Sequence, residues 1–198
     1  MRIKLKICGV TSIEDAIEIS RIGVDYIGVV NDLSSPRYRP LQFIDELKKY
    51  ISTPIVSVRV SGDITTFYNT SADYIQIHRV LSDEELEIVT TFSKKTILYV
   101  PASLDYIDYL KKAQRATDLI LFDSPKKGIR SDPKILRILL NYHPDAGVGG
   151  GINIENIHEY LALEPKWIDV SSGVEISIGK KDLNLVKRLK EAVDSWRR

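Results

Sequence analysis

Two short segments of this chain end in residues able to move protons. The run KLKIC closes on Cys8, and the run LILFD closes on Asp123. Side chains alternate along an extended chain, so Lys4, Lys6 and Cys8 share one face while Leu5 and Ile7 share the other. Leu119, Leu121 and Asp123 share a face in the same way, as do Tyr74, Gln76 and His78. An unperturbed thiol with a pKa of about 8.5 is mostly protonated at neutral pH. Lys6, two residues before Cys8 on the same face, is a cation placed to lower it. Asp123 places a carboxylate at the inner end of its own run. His78 reads as a hydrogen-bonded structural group and not as a proton carrier.

A second chemistry is written in glycine and serine. Gly149, Gly150 and Gly151 follow one apolar run, and Ser171, Ser172 and Gly173 follow the next. Glycine lets backbone amides approach an anion closely, and amides ahead of a helix attract negative charge. A triple glycine alone is an ordinary tight turn, but two such loops in succession read as a phosphate cradle.

These groups need a frame. Apolar runs read as strands at 3–8, 26–30, 55–60, 74–77, 96–100, 119–122, 146–148 and 167–170. Between them lie segments with helical spacing, such as Ile13, Ala16, Ile17 and Ser20, or Ile154, Ile157 and Leu161; the chain closes on Leu185, Leu189, Ala192 and Trp196. Strand then helix, repeated eight times, demands a parallel sheet. Eight units of about 25 residues favour a closed (β/α)8 TIM barrel with short loops over an open sheet. No linker or low-complexity tract interrupts the series, so residues 1–198 read as a single barrel domain. In such a barrel the chemistry belongs at the carboxyl ends of the strands, and phosphate sites recur in the last two loops.

Composition removes several function classes. The 28 Lys and Arg against 27 Asp and Glu leave no basic footprint for nucleic acid or an acidic membrane face. No uncharged stretch approaches the roughly 20 apolar residues of a membrane span. The start has no signal-peptide pattern, and the single cysteine suits a reducing, cytoplasmic compartment. From Lys180 onward the chain carries seven basic and three acidic residues, read as the solvated face of the last helix.

Seven segments then resemble a known family in order along the chain. KICGVTSIEDA at Lys6, SSPR ending at Arg37, YIQIH ending at His78, LILFD ending at Asp123, GGGINIENI at Gly149, and DVSSGVE at Asp169 followed by GKKD at Gly179 resemble phosphoribosylanthranilate isomerase of tryptophan biosynthesis. The resemblance implies a (β/α)8 barrel without cofactor or metal. It also implies an Amadori rearrangement of N-(5-phosphoribosyl)anthranilate, a small phosphorylated substrate, by a monomer or homodimer. By the same resemblance Cys8 is the general base, Asp123 the general acid, and Arg37 the contact for the anthranilate carboxylate. Gly150, Gly151, Ser171 and Ser172 match the phosphate cradle, and Lys6 and Asp169 join the substrate-binding set. The chain departs from the family pattern at Asn31, Arg59, Ser61 and Arg79, and in a shortened loop after Asp123. A non-catalytic barrel binding a phosphorylated metabolite, or another phosphosugar isomerase or epimerase, is the alternative reading, and turnover by the purified protein separates them.

Overall fold

The computed structural model describes residues 2–126 and 128–196. Eight strands, β1 (Lys4–Ile7), β2 (Tyr26–Val30), β3 (Ile55–Arg59), β4 (Tyr74–Ile77), β5 (Lys95–Pro101), β6 (Leu119–Asp123), β7 (Gly147–Val148) and β8 (Trp167–Val170), close in that order into a barrel. All the barrel pairs are parallel, including β1 with β8, so the TIM-barrel architecture expected from the strand count is the observed one.

Alternation along the strands sorts side chains into two cores. Leu5, Ile7, Ile27, Ile55, Ile75 and Ile120 point outward and pack against the helices. Cys8, Val30, Val56, Val58, Ile97, Leu121 and Trp167 fill the lumen as a separate cluster. Space in the lumen for Cys8 comes from Gly28 on the adjoining strand, where a Cβ would stand 2.9 Å from the Cys8 sulfur. The register brings Lys6 opposite Asp169 and Ile7 opposite Val170, so the two inward polar residues of β1 and β8 face one another by construction.

Helices return the chain around the outside: α1 (Ile13–Ile22), α2 (Leu41–Leu47), α3 (Asp83–Thr90), α4 (Ile107–Ala116), α5 (Pro133–Tyr142), α6 (Ile157–Leu161) and α7 (Leu183–Ser195). Their ends carry local signals, as in α1, where Ser12 caps the first turn through the Asp15 amide and Gly23 ends the helix at φ 86°.

The strict strand–helix alternation fails once. Between β3 and β4 the described chain forms only a 3-10 turn, Ile64–Thr66. The cause is local: Asp63 accepts hydrogen bonds from the Thr65 amide and hydroxyl, and Thr66 donates to the Asp63 carbonyl. Such short polar side chains offer the backbone an alternative to helix. Ile154 also falls outside α6, in the turn before it. A short hairpin of β9 (Glu175–Ser177) and β10 (Lys180–Lys181) follows β8. It overturns the reading of the basic terminal segment as a purely solvated face, because Lys181 and Lys190 are buried. Arg197 and Arg198 of that segment lie outside the described residues.

Candidate active site

The carboxyl ends of β1, β6, β7 and β8 carry most of the residues singled out by sequence. Lys6 is fully enclosed, and its Nζ donates to Asp169 Oδ2 at 2.7 Å. Burial pulls the ammonium's pKa down, but the Asp169 carboxylate and the neighbouring Cys8 more than offset this, so Lys6 stays charged with its pKa raised. Asp169 keeps its second oxygen, Oδ1, buried without a hydrogen-bond partner among the described residues.

Cys8 directly follows β1, tied to β8 by the hydrogen bond its amide donates to the Val170 carbonyl at 2.8 Å. Burial pushes its thiol pKa up and Asp169 adds to the effect; Lys6 and Lys181 pull it down without prevailing. The expectation that Lys6 would lower the thiol therefore holds in sign and fails in the net, because burial outweighs the cation and the Asp169 carboxylate adds to the rise.

Asp123 ends β6 at the inner rim, with its side chain 21% exposed. Burial, and next the Asp169 carboxylate, push its pKa up to about 7, against a counter-pull from the Ser124 amide, which donates to Oδ1 at 2.6 Å, and from Lys6. A carboxyl group poised there can donate a proton at neutral pH. His78 Nε2 lies 4.0 Å from Asp123 Oδ2. Its other nitrogen meets the Gln76 amide at 3.1 Å, and its ring stacks on Tyr99 with centroids 4.5 Å apart. Burial drops His78 to about 4, leaving it neutral at pH 7. It is hydrogen-bonded, as expected, and it also faces the acid, a neighbour that only the closed barrel reveals.

The two anion loops adjoin these groups. Gly150 has φ 94°, and a Cβ there would stand 2.2 Å from Ser131 Oγ and 2.9 Å from Asp123 Oδ1, so this loop packs directly on the carboxyl. The carbonyls of Gly150 and Gly151 are held by the Ser131 amide and the Asn156 side chain. Among the described residues no protein acceptor takes the amides of Gly150, Gly151, Ser172 or Gly173, which remain free for an anion. Ser171 is half-buried and Ser172 exposed at the start of a 3-10 turn, Ser172–Val174. The helix after the glycine loop, α6, begins only at Ile157, so the free amides of Gly150 and Gly151, and not a long helix dipole, are the positive groups this loop presents.

Arg37 reaches the rim from the loop after β2. Glu175 grips it from β9, Oε1 accepting from Nε at 2.7 Å and Oε2 from Nη2 at 2.5 Å. The four departures from the family pattern all hold loops together. Asn31 accepts from Ser57 Oγ at 2.7 Å and donates to the Arg39 carbonyl, and Ser61 donates to Asp32 through amide and hydroxyl. Arg59 stacks on Phe67 at 4.6 Å, and Arg79 pairs with Glu85 through two bonds. Sequence reasoning missed Glu175 and Lys181, although both stand in the segments DVSSGVE and GKKD. Among the described residues no group of three His, Cys, Asp or Glu side chains is placed to hold a metal ion, and no helix is long and apolar enough to cross a membrane.

Known proteins match this chain in sequence and in fold. The family model described as N-(5'-phosphoribosyl)anthranilate (PRA) isomerase matches residues 5–192. The N-(5'-phosphoribosyl)anthranilate isomerase of Saccharolobus solfataricus is 44% identical over 195 residues, covering 96% of both chains. That of Sulfolobus acidocaldarius is 40% identical over 196 residues, covering 98% of both. The crystal structure of phosphoribosyl anthranilate isomerase from Thermus thermophilus superposes with a TM-score of 0.84 at 25% identity, over 98% of this chain and all of that one. With its barrel closed, its motifs on one rim and its sequence matched almost end to end, the chain belongs to the phosphoribosylanthranilate isomerase family.

Proposed function

We infer that Cys8 and Asp123 are the base and acid of the family's reaction, the Amadori rearrangement of N-(5-phosphoribosyl)anthranilate to its 1-deoxyribulose 5-phosphate ketose. The observation that carries this assignment is the common inner rim of the two groups, with the Gly150 loop packed on the carboxyl of Asp123. A phosphate held by that loop and by the amides of Ser172 and Gly173 fixes one end of the substrate. Gly151 and Ser171 complete that phosphate cradle, the Lys6–Asp169 pair borders the ribose, and Arg37 meets the anthranilate carboxylate at the other end.

The protonated carboxyl of Asp123 gives its proton to the furanose ring oxygen as the carbon–oxygen bond breaks, leaving a protonated Schiff base at carbon 1. That positive charge adds to the fields of Lys6 and Lys181 and lowers the Cys8 thiol, whose pKa stands raised in the free protein. The thiolate then takes the proton from carbon 2, acidified by the adjacent iminium. The thiol so formed gives a proton to carbon 1 of the enaminol while the enaminol's hydroxyl proton passes to the Asp123 carboxylate, so the ketone forms with the acid restored and the thiolate regenerated. No electron leaves the substrate, so the sequence is an internal redox exchange between two carbons.

The test is Cys8→Ser, because a hydroxyl is a far weaker acid than a thiol and makes no useful base population here. Turnover, followed by loss of substrate fluorescence, is expected to fall by about 10²–10⁴, while the reduced product analogue still binds. Near wild-type turnover would remove Cys8 from the role of base.

A further inference from the structure

We propose that Glu175, backed by the buried Lys181, is the positioning pair that aims Arg37 at the substrate carboxylate and ties this recognition to the backbone of Cys8 and Ser171. The proposal rests on the reading of Arg37 given above and adds to it how the guanidinium is held.

Lys181 has no exposed side-chain surface. An ammonium taken out of water is tolerated only where each of its hydrogens finds an acceptor. Three acceptors surround Nζ: the Cys8 carbonyl at 2.6 Å, the Ser171 carbonyl at 3.1 Å and Glu175 Oε1 at 2.9 Å. All three N–H groups are thereby used. The group has nothing left for a ligand, so its action passes through the residues it holds. One of these is the peptide of the base, one lies in the anion loop, and the third is the carboxylate that grips Arg37.

Glu175 is equally committed. Its Oε1 accepts from both Lys181 and Arg37 Nε, and its Oε2 accepts from Arg37 Nη2. Burial works against the Glu175 carboxylate, but Arg37 and Lys181 hold its pKa below the ordinary range. Two parallel bonds fix the plane of a guanidinium as well as its position. With Nε and Nη2 taken, the Nη1 edge is the one presented to an incoming carboxylate.

The hairpin that carries the pair is itself anchored. Asp15 of α1 accepts from the Lys181 amide at 3.0 Å and from Lys180 Nζ, Thr11 donates to the Gly179 carbonyl at 2.6 Å, and the Asp182 amide reaches the Val174 carbonyl at 2.8 Å. Arg37 is thus referenced to the same end of β1 that bears Cys8, and a shift of the hairpin moves both.

The experiment compares two ligands, the reduced carboxyphenylamino analogue of the product and its counterpart with an unsubstituted phenyl ring, across Arg37→Ala, Glu175→Gln, Lys181→Met and the Arg37→Ala/Glu175→Gln double variant. Glu175→Gln is expected to weaken the carboxylate-bearing ligand on the order of tenfold and to leave the phenyl counterpart and inorganic phosphate unchanged. In the Arg37→Ala background it is expected to add nothing. Lys181→Met is expected to lose the carboxylate preference and to lower kcat as well, since it also frees the Cys8 and Ser171 carbonyls. If Lys181→Met does not fold, the near-isosteric Glu175→Gln carries the test alone. Retention of the carboxylate preference in Glu175→Gln, with its loss in Arg37→Ala, overturns the positioning role and spares the reading of Arg37. Retention in Arg37→Ala overturns both.

Discussion

Lys4 and Lys6 project from the same face of β1, one at the amino-terminal end of the barrel and the other beneath the catalytic mouth, and their surroundings differ in kind. Lys4 is half-buried, donates to the Tyr26 hydroxyl at 2.9 Å and lies 5.2 Å from the centre of that ring. Its neighbours, Tyr26, Tyr74 and Trp167, line an open cavity of about 400 Å³, with the two tyrosines edge to face at 5.3 Å. Aromatic surface is buried there while the charged heads reach water. Lys6 sits where carboxylates crowd: Asp169 pairs with it, and both it and Asp169 set the potential felt by Asp123. The lower end leaves its charged heads in reach of water, whereas the mouth holds charges inside protein at a cost in stability, and the charges held there are the ones proposed above to serve the reaction.

The largest expected effect is therefore at Asp123. Asp123→Asn is expected to lower kcat by about 10²–10⁴, and the alkaline fall of wild-type kcat/KM, centred near the carboxyl's pKa of about 7, is expected to vanish in the variant. The sign for stability is the opposite. Folding raises this pKa from about 4 in the unfolded chain, so the native state binds the proton more tightly, and its contribution is fully present below that value and lost as pH rises through 7. Asp123→Asn is then expected to stabilise the fold by roughly 2–4 kcal/mol at pH 8 and by little at pH 4, read by urea unfolding. A destabilised Asn variant at pH 8 would erase the contrast between the two ends.

The next effect is at the buried pair. Lys6→Met removes the only ionic partner of Asp169 among the described residues and leaves a buried carboxylate uncompensated. A loss of about 3–5 kcal/mol is expected, together with a further rise in the Cys8 thiol pKa, read by the pH dependence of its alkylation.

Much of this mouth was legible in the sequence. Period-two alternation turned Lys6, Cys8 and Asp123 inward, and strand counting closed the barrel that puts them on one rim. What stayed hidden depends on contacts across the closure. Burial inside the closed barrel, and the register that sets Asp169 against Lys6, keep the Cys8 thiol raised, and neither can be read from KLKIC. Lys181 looked like one more solvated charge in a basic tail, because its acceptors lie up to 173 residues away in sequence. The missing helix after β3 is the opposite case, a purely local matter: the segment DITT carries short polar side chains whose bonds to Asp63 compete with helix, a signal that counting regular repeats leaves out.

A smaller effect separates the anion loop from the carboxylate clamp. Gly150→Val combines a left-handed φ with a Cβ crowding Ser131 and Asp123, and a loss of about 1–3 kcal/mol is expected. Inorganic phosphate and substrate are expected to weaken together in this variant, whereas Arg37→Ala weakens only ligands bearing the carboxylate. Isothermal titration with phosphate distinguishes the two, and equal losses of phosphate binding would mean that the anion sits elsewhere on the rim.

The smallest effect is the sharpest control on the comparison. Lys4→Met makes the same chemical change as Lys6→Met, two residues away on the same strand and the same face. The ammonium of Lys4 is hydrated on one side, and the Tyr26 hydroxyl it releases opens on the same cavity, where water can replace the bond. The methionine stem retains the packing of the lysine chain against the ring. The change in unfolding free energy is therefore expected to stay within about 0.5 kcal/mol, with kcat and KM unmoved, since no group at the mouth bonds to Lys4. A loss near that of Lys6→Met would show that the lower end also depends on a desolvated ammonium, and position along the barrel axis would then no longer explain why one lysine of the KLKIC segment is costly to remove and the other is not.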